Sequence, residues 1–368
     1  ISSCIVEIAE NAFENCESLE ILTYKKESFN PKLLRKKVEF PSSVKSIKSF
    51  SFKNCIKLHR VTIPPSVTEI GSHAFANCTS LSRVEISDDS SLRAIECGAF
   101  AKCKSLEHIS IPPYVHKIGQ NAFEECESLE SVRLENNCSL TSIESNVFHS
   151  CQNLKRISIP SSVKSIKSDS FSICESLPKI TIPPSVTEIG HNAFARCGSL
   201  TEVEISDDSS LTVIEGTAFS CCSSLKQIKI PPYVREIGRS AFGGCYSLER
   251  VILENNRSLI SIEDSAFWSC TKLKQISIPS SVKSIGEDAF RSCSLLSQKT
   301  IPSSVVSIGK QAFMFCHFES ITIPSSVTSI GENAFVSCEN LKTLYIPYNF
   351  HASREFLGIG TSVKLYSS

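Results

Sequence analysis

Along most of this chain a short apolar alternation, L-x-x-I-x-I, runs into a proline, a small polar patch and a second pair of apolar positions. Leu154–Ile159 runs into Pro160 in this way, and Leu81–Ile86 carries the same alternation into Ser87. Alternation with period two marks a strand with one buried face. A proline directly after it cannot donate to a ladder, so the strand stops there. The S-V-x-x-I segment that follows predicts a second, shorter extended edge. Further on, A-F-x-x-C places Phe and Cys on one side of about a single helical turn. The predicted unit is strand, corner, short edge and one-turn helix, after which the next strand begins.

This unit repeats. Its Phe stands at Phe13, Phe52, Phe75, Phe100, Phe123, Phe148, Phe171, Phe194, Phe219, Phe242, Phe267, Phe290, Phe313 and Phe335. Successive spacings are 22 to 25 residues, except for 39 between the first two. An Ile lies five residues before each Phe, from Ile8 to Ile330, and a Cys three residues after it, from Cys16 to Cys338. Leu follows three residues later, from Leu19 to Leu341, with Phe318 serving in one shortened coil. A unit this small cannot bury its apolar side alone, so neighbouring units must stack into a continuous core. Gly after the Ile, as at Gly71, Gly119, Gly190 and Gly286, suits a tight corner. Lys48 and Lys167 occupy the same place, which argues against a strict need for positive φ.

A longer period overlies the first. Phe52 to Phe171 and Phe171 to Phe290 are each 119 residues, so a block of five coils is duplicated. VEISDDSSL therefore occurs twice, at Val84–Leu92 and Val203–Leu211. Paired aspartates invite a cation site, but Leu134–Leu140 and Leu253–Leu259 fill the same slot with Asn-Asn. Asp and Asn exchange where a short side chain caps its own turn, whereas calcium wants more carboxylates. The slot is expected to be a lengthened turn.

The pattern I-P-x-S-V-x-x-I-G-x-x-A-F-x-x-C-x-x-L-x-x-I resembles the BspA-type leucine-rich repeat and covers nearly the whole chain. The resemblance implies a right-handed leucine-rich-repeat solenoid of about fourteen coils, a parallel sheet with short one-turn helices. It also implies a surface adhesin, cell-surface or extracellular, without enzymatic activity, that engages a host-cell or matrix protein. The expected organisation is a solenoid over 1–346, with a basic insertion at 24–40, and a capping segment over 347–368. The array starts abruptly at Ile8, so it is expected to continue or to pair at that end. No basic start followed by an apolar block precedes Phe13, which leaves a cytoplasmic interaction scaffold of the same fold as the alternative.

Composition removes several function classes. The 38 basic residues balance 38 acidic ones, so no overall field favours nucleic acid. No apolar run approaches the length of a spanning helix. Neither a P-loop, nor G-x-G-x-x-G, nor H-E-x-x-H is present, so no cofactor, metal or catalytic group is expected. Of the 18 cysteines, fourteen form the column; Cys4, Cys97, Cys138 and Cys221 lie outside it. Stacked coils bring column cysteines within disulfide reach, but parallel side chains oppose the required torsion. Buried free thiols are expected. The sequons at Asn77, Asn137 and Asn256 are chance matches in a Ser-rich repeat, and Trp268 is expected on the convex rim.

The outward strand positions are the expected recognition surface, because a solenoid's concave sheet leaves them free to vary. Candidates are Arg60, Arg83, Glu85, His108, Arg133, Arg156, Glu202, Glu204, Lys229, Arg250 and Lys274. Their mixed charge fits a polar protein or a glycan. Within the insertion, Lys32, Arg35, Lys36 and Lys37 form a candidate basic docking loop.

Overall fold

The period-two stretches fold as strands. The computed structural model of the chain describes residues 6–24, 37–134, 138–253, 255–297, 300–348 and 353–367. It contains two units, Ile1–Leu177 and Pro178–Ser368.

In the first unit the strands of one face are β1 (Ile21–Tyr24), β2 (Lys37–Phe40), β3 (Arg60–Ile63), β4 (Arg83–Ile86), β5 (His108–Ile111), β6 (Ser131–Leu134) and β7 (Arg156–Ile157). They form one parallel sheet in the order β7-β6-β5-β4-β3-β1-β2. The register is one coil per strand: Arg60 opposes Arg83, Val61 opposes Val84, Thr62 opposes Glu85 and Ile63 opposes Ile86. A slip of one residue would turn every core side chain outwards, so burial locks this register. A second ladder of two-residue strands, Glu7–Ile8 to Lys117–Ile118, forms the opposite edge. Between the two lies the Phe column. Phe52, Phe75, Phe100 and Phe123 are fully buried and stack with centroids 5.2 to 5.5 Å apart.

The insertion returns to the sheet. Lys-Val-Glu-Phe alternates with period two, and β2 adds to the sheet beyond β1, with Lys37 opposite Ile21 and Phe40 opposite Tyr24. Phe40 is buried edge-on against Phe52 at 5.7 Å. Lys37 is thus a strand residue; Lys32, Arg35 and Lys36 lie outside the described residues.

The second unit repeats the plan. Its face strands are β8 (Lys179–Ile182), β9 (Glu202–Ile205), β10 (Gln227–Lys229), β11 (Arg250–Ile252), β12 (Gln275–Ile276), β13 (Ser320–Thr322), β14 (Thr343–Ile346) and β15 (Lys364–Ser367). The residues before β15 form a short helix α1 (Arg354–Leu357), with Ser353 accepting from the Phe356 amide at 3.0 Å and Gly358 at φ 73° closing its end. This helix takes the place of a turn segment: the amides of Asn333 and Phe335 donate to Phe356 and Leu357 carbonyls, and β15 pairs with β14.

The one-turn helices expected at A-F-x-x-C do not form. Each coil instead runs through successive turns, with a left-handed residue two positions before Phe and another two after it. His73 (φ 55°) and Asn77 (φ 60°) flank Phe75, and Asn192 (φ 55°) and Arg196 (φ 61°) flank Phe194. The backbone hydrogen bonds explain the choice. The amides of His73, Phe75 and Asn77 donate to Cys97, Ala99 and Ala101 of the next coil, at 2.7 to 2.9 Å. The amides between them, of Ala74, Ala76 and Cys78, donate three residues back within the coil at 3.1 to 3.3 Å. A helix would spend every amide internally. The alternation satisfies all of them and ties coil to coil, which offsets about 1–2 kcal/mol per left-handed residue.

The glycine after Ile is not a positive-φ corner. A Cβ on Gly71 would lie 2.6 Å from the Lys48 carbonyl carbon and the Ser49 nitrogen, so Gly is needed for close approach of the preceding coil. In the 25-residue coils the extra two residues make the expected turn. Ser90 and Ser209 are buried and accept from the amides of Leu92 and Leu211 at 3.2 Å. In the fourth such coil Arg257 stands where Ser90 would, and the turn shifts so that Asn256 is buried instead. Asn256 donates to the Pro231 and Val234 carbonyls and accepts from the Ser258 and Leu259 amides, at 2.9 to 3.0 Å. With its side chain so committed, Asn256 has no amide left for a glycan. Asn77 is held in a ladder, donating to Asn54, which donates to Asn15.

Candidate binding face

Strand geometry sorts the candidate residues into columns within each unit. In the first unit Arg60, Arg83, His108 and Arg156 are the first residues of β3, β4, β5 and β7, all exposed. Ser131 fills the place between the last two. Two residues along, Thr62, Glu85, Ser110 and Arg133 form a parallel column. In the second unit Glu202 and Arg250 head β9 and β11, while Glu204 and Lys229 belong to the neighbouring column. Lys274 precedes β12 and is not a strand residue; it is paired with Glu249 at 2.8 Å.

Some of these charges are spent locally. Arg83 meets Glu85 at 2.8 Å, and Thr62 also donates to Glu85. Lys179 meets Glu204 at 2.5 Å and Glu202 at 3.4 Å, which holds the Glu204 carboxyl below its usual range. Lys229 pairs with Asp207 of the DD turn. These local pairs were invisible to the sequence pattern, because partners sit two residues or a whole coil apart. Asp207 sits on a turn, outside the strand pattern, and its acidic turn beside a basic strand was the available signal.

Beneath the face the cysteines make a second ladder. Column thiols donate to the Phe carbonyl of the preceding coil, as Cys78 to Phe52, Cys126 to Phe100 and Cys270 to Phe242, all at 3.2 Å. The same carbonyl accepts its own coil's Cys amide, as Phe75 from Cys78 at 3.3 Å. A residue here must be small, apolar and able to donate weakly, which describes a thiol. Burial pushes the thiols of Cys103, Cys126 and Cys222 well up, and that of Cys245 to about 12. Cys97 is exposed and Cys221 half-buried. Among the described residues no three His, Cys, Asp or Glu side chains gather as metal ligands, and no helix is long and apolar enough to cross a membrane.

Stacked coils of strand, turn and short edge define a repeat solenoid of the leucine-rich class. The chain belongs to the family described as the BspA type leucine rich repeat region, whose model matches residues 22–155, 141–274 and 260–357. Among solved structures it is similar to a leucine-rich repeat protein from Bacteroides ovatus, at 31% identity and a TM-score of 0.81, covering 98% of this chain and 87% of that one. It is also similar in fold to the pneumococcal vaccine antigen PcpA, at 22% identity and a TM-score of 0.52, covering 99% and 87%. No curated protein matches the chain.

Proposed function

We propose that this chain is a non-enzymatic binding protein, a BspA-like surface adhesin that engages a host-cell or matrix protein through its outward strand columns. One observation carries the choice of surface. Between the two copies of the five-coil block, nine of the ten inward residues of the face strands are the same, Val61 and Ile180 being the exception. Seven of the ten outward residues differ, including Arg83 against Glu202, Ser110 against Lys229 and Arg133 against Ile252. A face kept only for solubility has no reason to change sign between copies, whereas a recognition face does. Family membership supports the location and the absence of chemistry.

The test combines two measurements. Intact cells carrying the natural gene product are labelled with a membrane-impermeant reagent; labelling that requires lysis would exclude an adhesin. The purified chain is then assayed on immobilised matrix proteins and host cells. Exchange of the face, R83E/H108Q/R133I/R156Q, is expected to abolish capture, and undiminished capture would remove the strand face from the reading.

A further inference from the structure

The second outward column of the second unit's face changes character towards its end. On β8 to β11 it carries Thr181, Glu204, Lys229 and Ile252. In the last coils it reads Thr300, Thr322, Tyr345 and Tyr366. Thr322 opposes Tyr345 across β13 and β14, and Tyr345 opposes Tyr366 across β14 and β15. The two rings stack with centroids 5.3 Å apart and planes 21° from parallel. Both stay open to solvent, Tyr345 at 37% and Tyr366 at 46%.

This register makes a step in the face. Tyr366 covers one side of the Tyr345 ring and holds its plane. On the other side stands Thr322, half-buried, with a side chain too short to cover a ring. One aromatic face therefore rises above a floor of Thr322 and Ser320, which flank the buried Ile321 on β13. The step carries no charge of its own. Lys364 is the single charged residue of these three strands, and it lies on β15, beyond the wall as seen from Thr322. Before the strands, Lys342 is matched by Glu319 at 3.0 Å. The corresponding positions from Thr62 to Thr322 hold no aromatic side chain, so the repeat itself does not call for one.

We propose that this step binds an uncharged oligosaccharide of all-equatorial pyranose rings, with one sugar ring lying against Tyr345. Such a ring turns only C–H groups to its two faces, and these weakly positive groups suit the negative face of an aromatic ring. Its rim of hydroxyls both donates and accepts, as do the hydroxyls of Ser320, Thr322 and Tyr345. An aromatic wall with a few convergent polar groups is the make-up of a small-ligand site, and an ionic ligand would find no counter-charge on the floor. Tyr366 is a positioning residue, since it meets Tyr345 and not the sugar. The inference goes beyond the proposed function and touches none of the residues exchanged in its test, so either can fail alone.

Saturation-transfer NMR of the whole chain with cellohexaose tests this, beside an α-linked mannohexaose whose axial hydroxyls interrupt one ring face. Transfer is expected to the ring C–H protons of cellohexaose, with weaker binding of the mannohexaose. Tyr345→Thr, which continues the threonine column, should weaken binding about tenfold or more. Thr322→Lys, which fills the floor, should weaken it as much while keeping the parent's melting temperature. Tyr366→Ala should also weaken it, and Tyr366→Phe, which keeps the stacked ring, should restore it. Tyr246→Ser removes an exposed tyrosine off the face strands and should leave binding intact. No transfer to cellohexaose, equal binding of the mannohexaose, undiminished binding in Tyr345→Thr or Thr322→Lys, or an equal loss in Tyr246→Ser would each overturn the proposal. Matrix-protein capture that Tyr345→Thr abolishes and cellohexaose does not displace would assign the wall to a protein partner instead.

Discussion

The two copies of the five-coil block have the same interior and different exteriors. Phe100 stacks between Phe75 and Phe123 at 5.3 and 5.5 Å, and its copy Phe219 stacks between Phe194 and Phe242 at 5.2 and 5.4 Å. Above that common core, the first copy presents Arg60, Arg83, Arg133 and Arg156 against Glu85, whereas the second presents Lys179, Lys229 and Arg250 against Glu202 and Glu204. Residues that bond to the next coil are fixed by the stack. Those that only meet solvent changed after duplication, and that is where specificity can be written without disturbing the fold.

The largest expected effect belongs to what the copies share. Deeply buried column thiols such as Cys103, Cys126, Cys245 and Cys338 have folded-state pKa values raised from the ordinary 9.0, Cys245 and Cys338 to about 12, because burial penalises the thiolate. With the folded value raised, the stability they contribute is complete below pH 9 and is lost as pH climbs towards 12, since the unfolded chain sheds its protons first. The slope is roughly 1.4 kcal/mol per thiol per pH unit in that window. Equilibrium denaturation at stepped alkaline pH should show both units losing stability over the same range; a flat profile would contradict a buried thiol ladder.

Single core substitutions come next. Phe100→Ala and Phe219→Ala should each cost about 3–5 kcal/mol, and chemical denaturation should find the two costs alike. A cost confined to one copy would break the equivalence. A smaller effect distinguishes the copies internally. Ser170 is buried and its hydroxyl has no hydrogen-bond partner, whereas the corresponding Ser51 donates to the Ala9 and Lys48 carbonyls, at 3.0 and 2.6 Å, and the next copy has Ala289. Ser170→Ala should stabilise the first unit by about 1 kcal/mol, measured by the same denaturation. Least of all, Arg83→Glu and Glu202→Arg should leave the melting temperature essentially unchanged, as exposed charges do. A large shift from either would show that the face has a structural duty.

Much of this architecture was legible because Ile, Phe, Cys and Leu recur at fixed offsets, and fixed offsets mean stacked core positions. The lengthened DDSS turn could likewise be read by comparing four coils. The run of left-handed turns could not be read from hydrophobic period, since alternation of backbone handedness leaves no apolar trace. Its signal was polar: Asn11, Asn15, Asn54, Asn77, Asn121, Asn146, Asn192 and Asn333 fall at the two left-handed positions, which Asn tolerates better than most. The strand β2 was masked by its basic surroundings, although Lys-Val-Glu-Phe alternates. The outward columns followed from the strand pattern.

The alternating amides of the turn run have a consequence for how such a chain is inherited. Each coil presents three amides to the next and the matching three carbonyls to the one before, so a coil acts as a template that accepts any other coil of its kind. The two extra residues of the longer coils sit outside that bonded run, and lengths of 23 and 25 are interchangeable as building stock. Recombination between coils then yields proteins whose joints are already fitted. Copying lengthens the molecule at once, and only afterwards must the exposed residues of the new cassette acquire a task of their own.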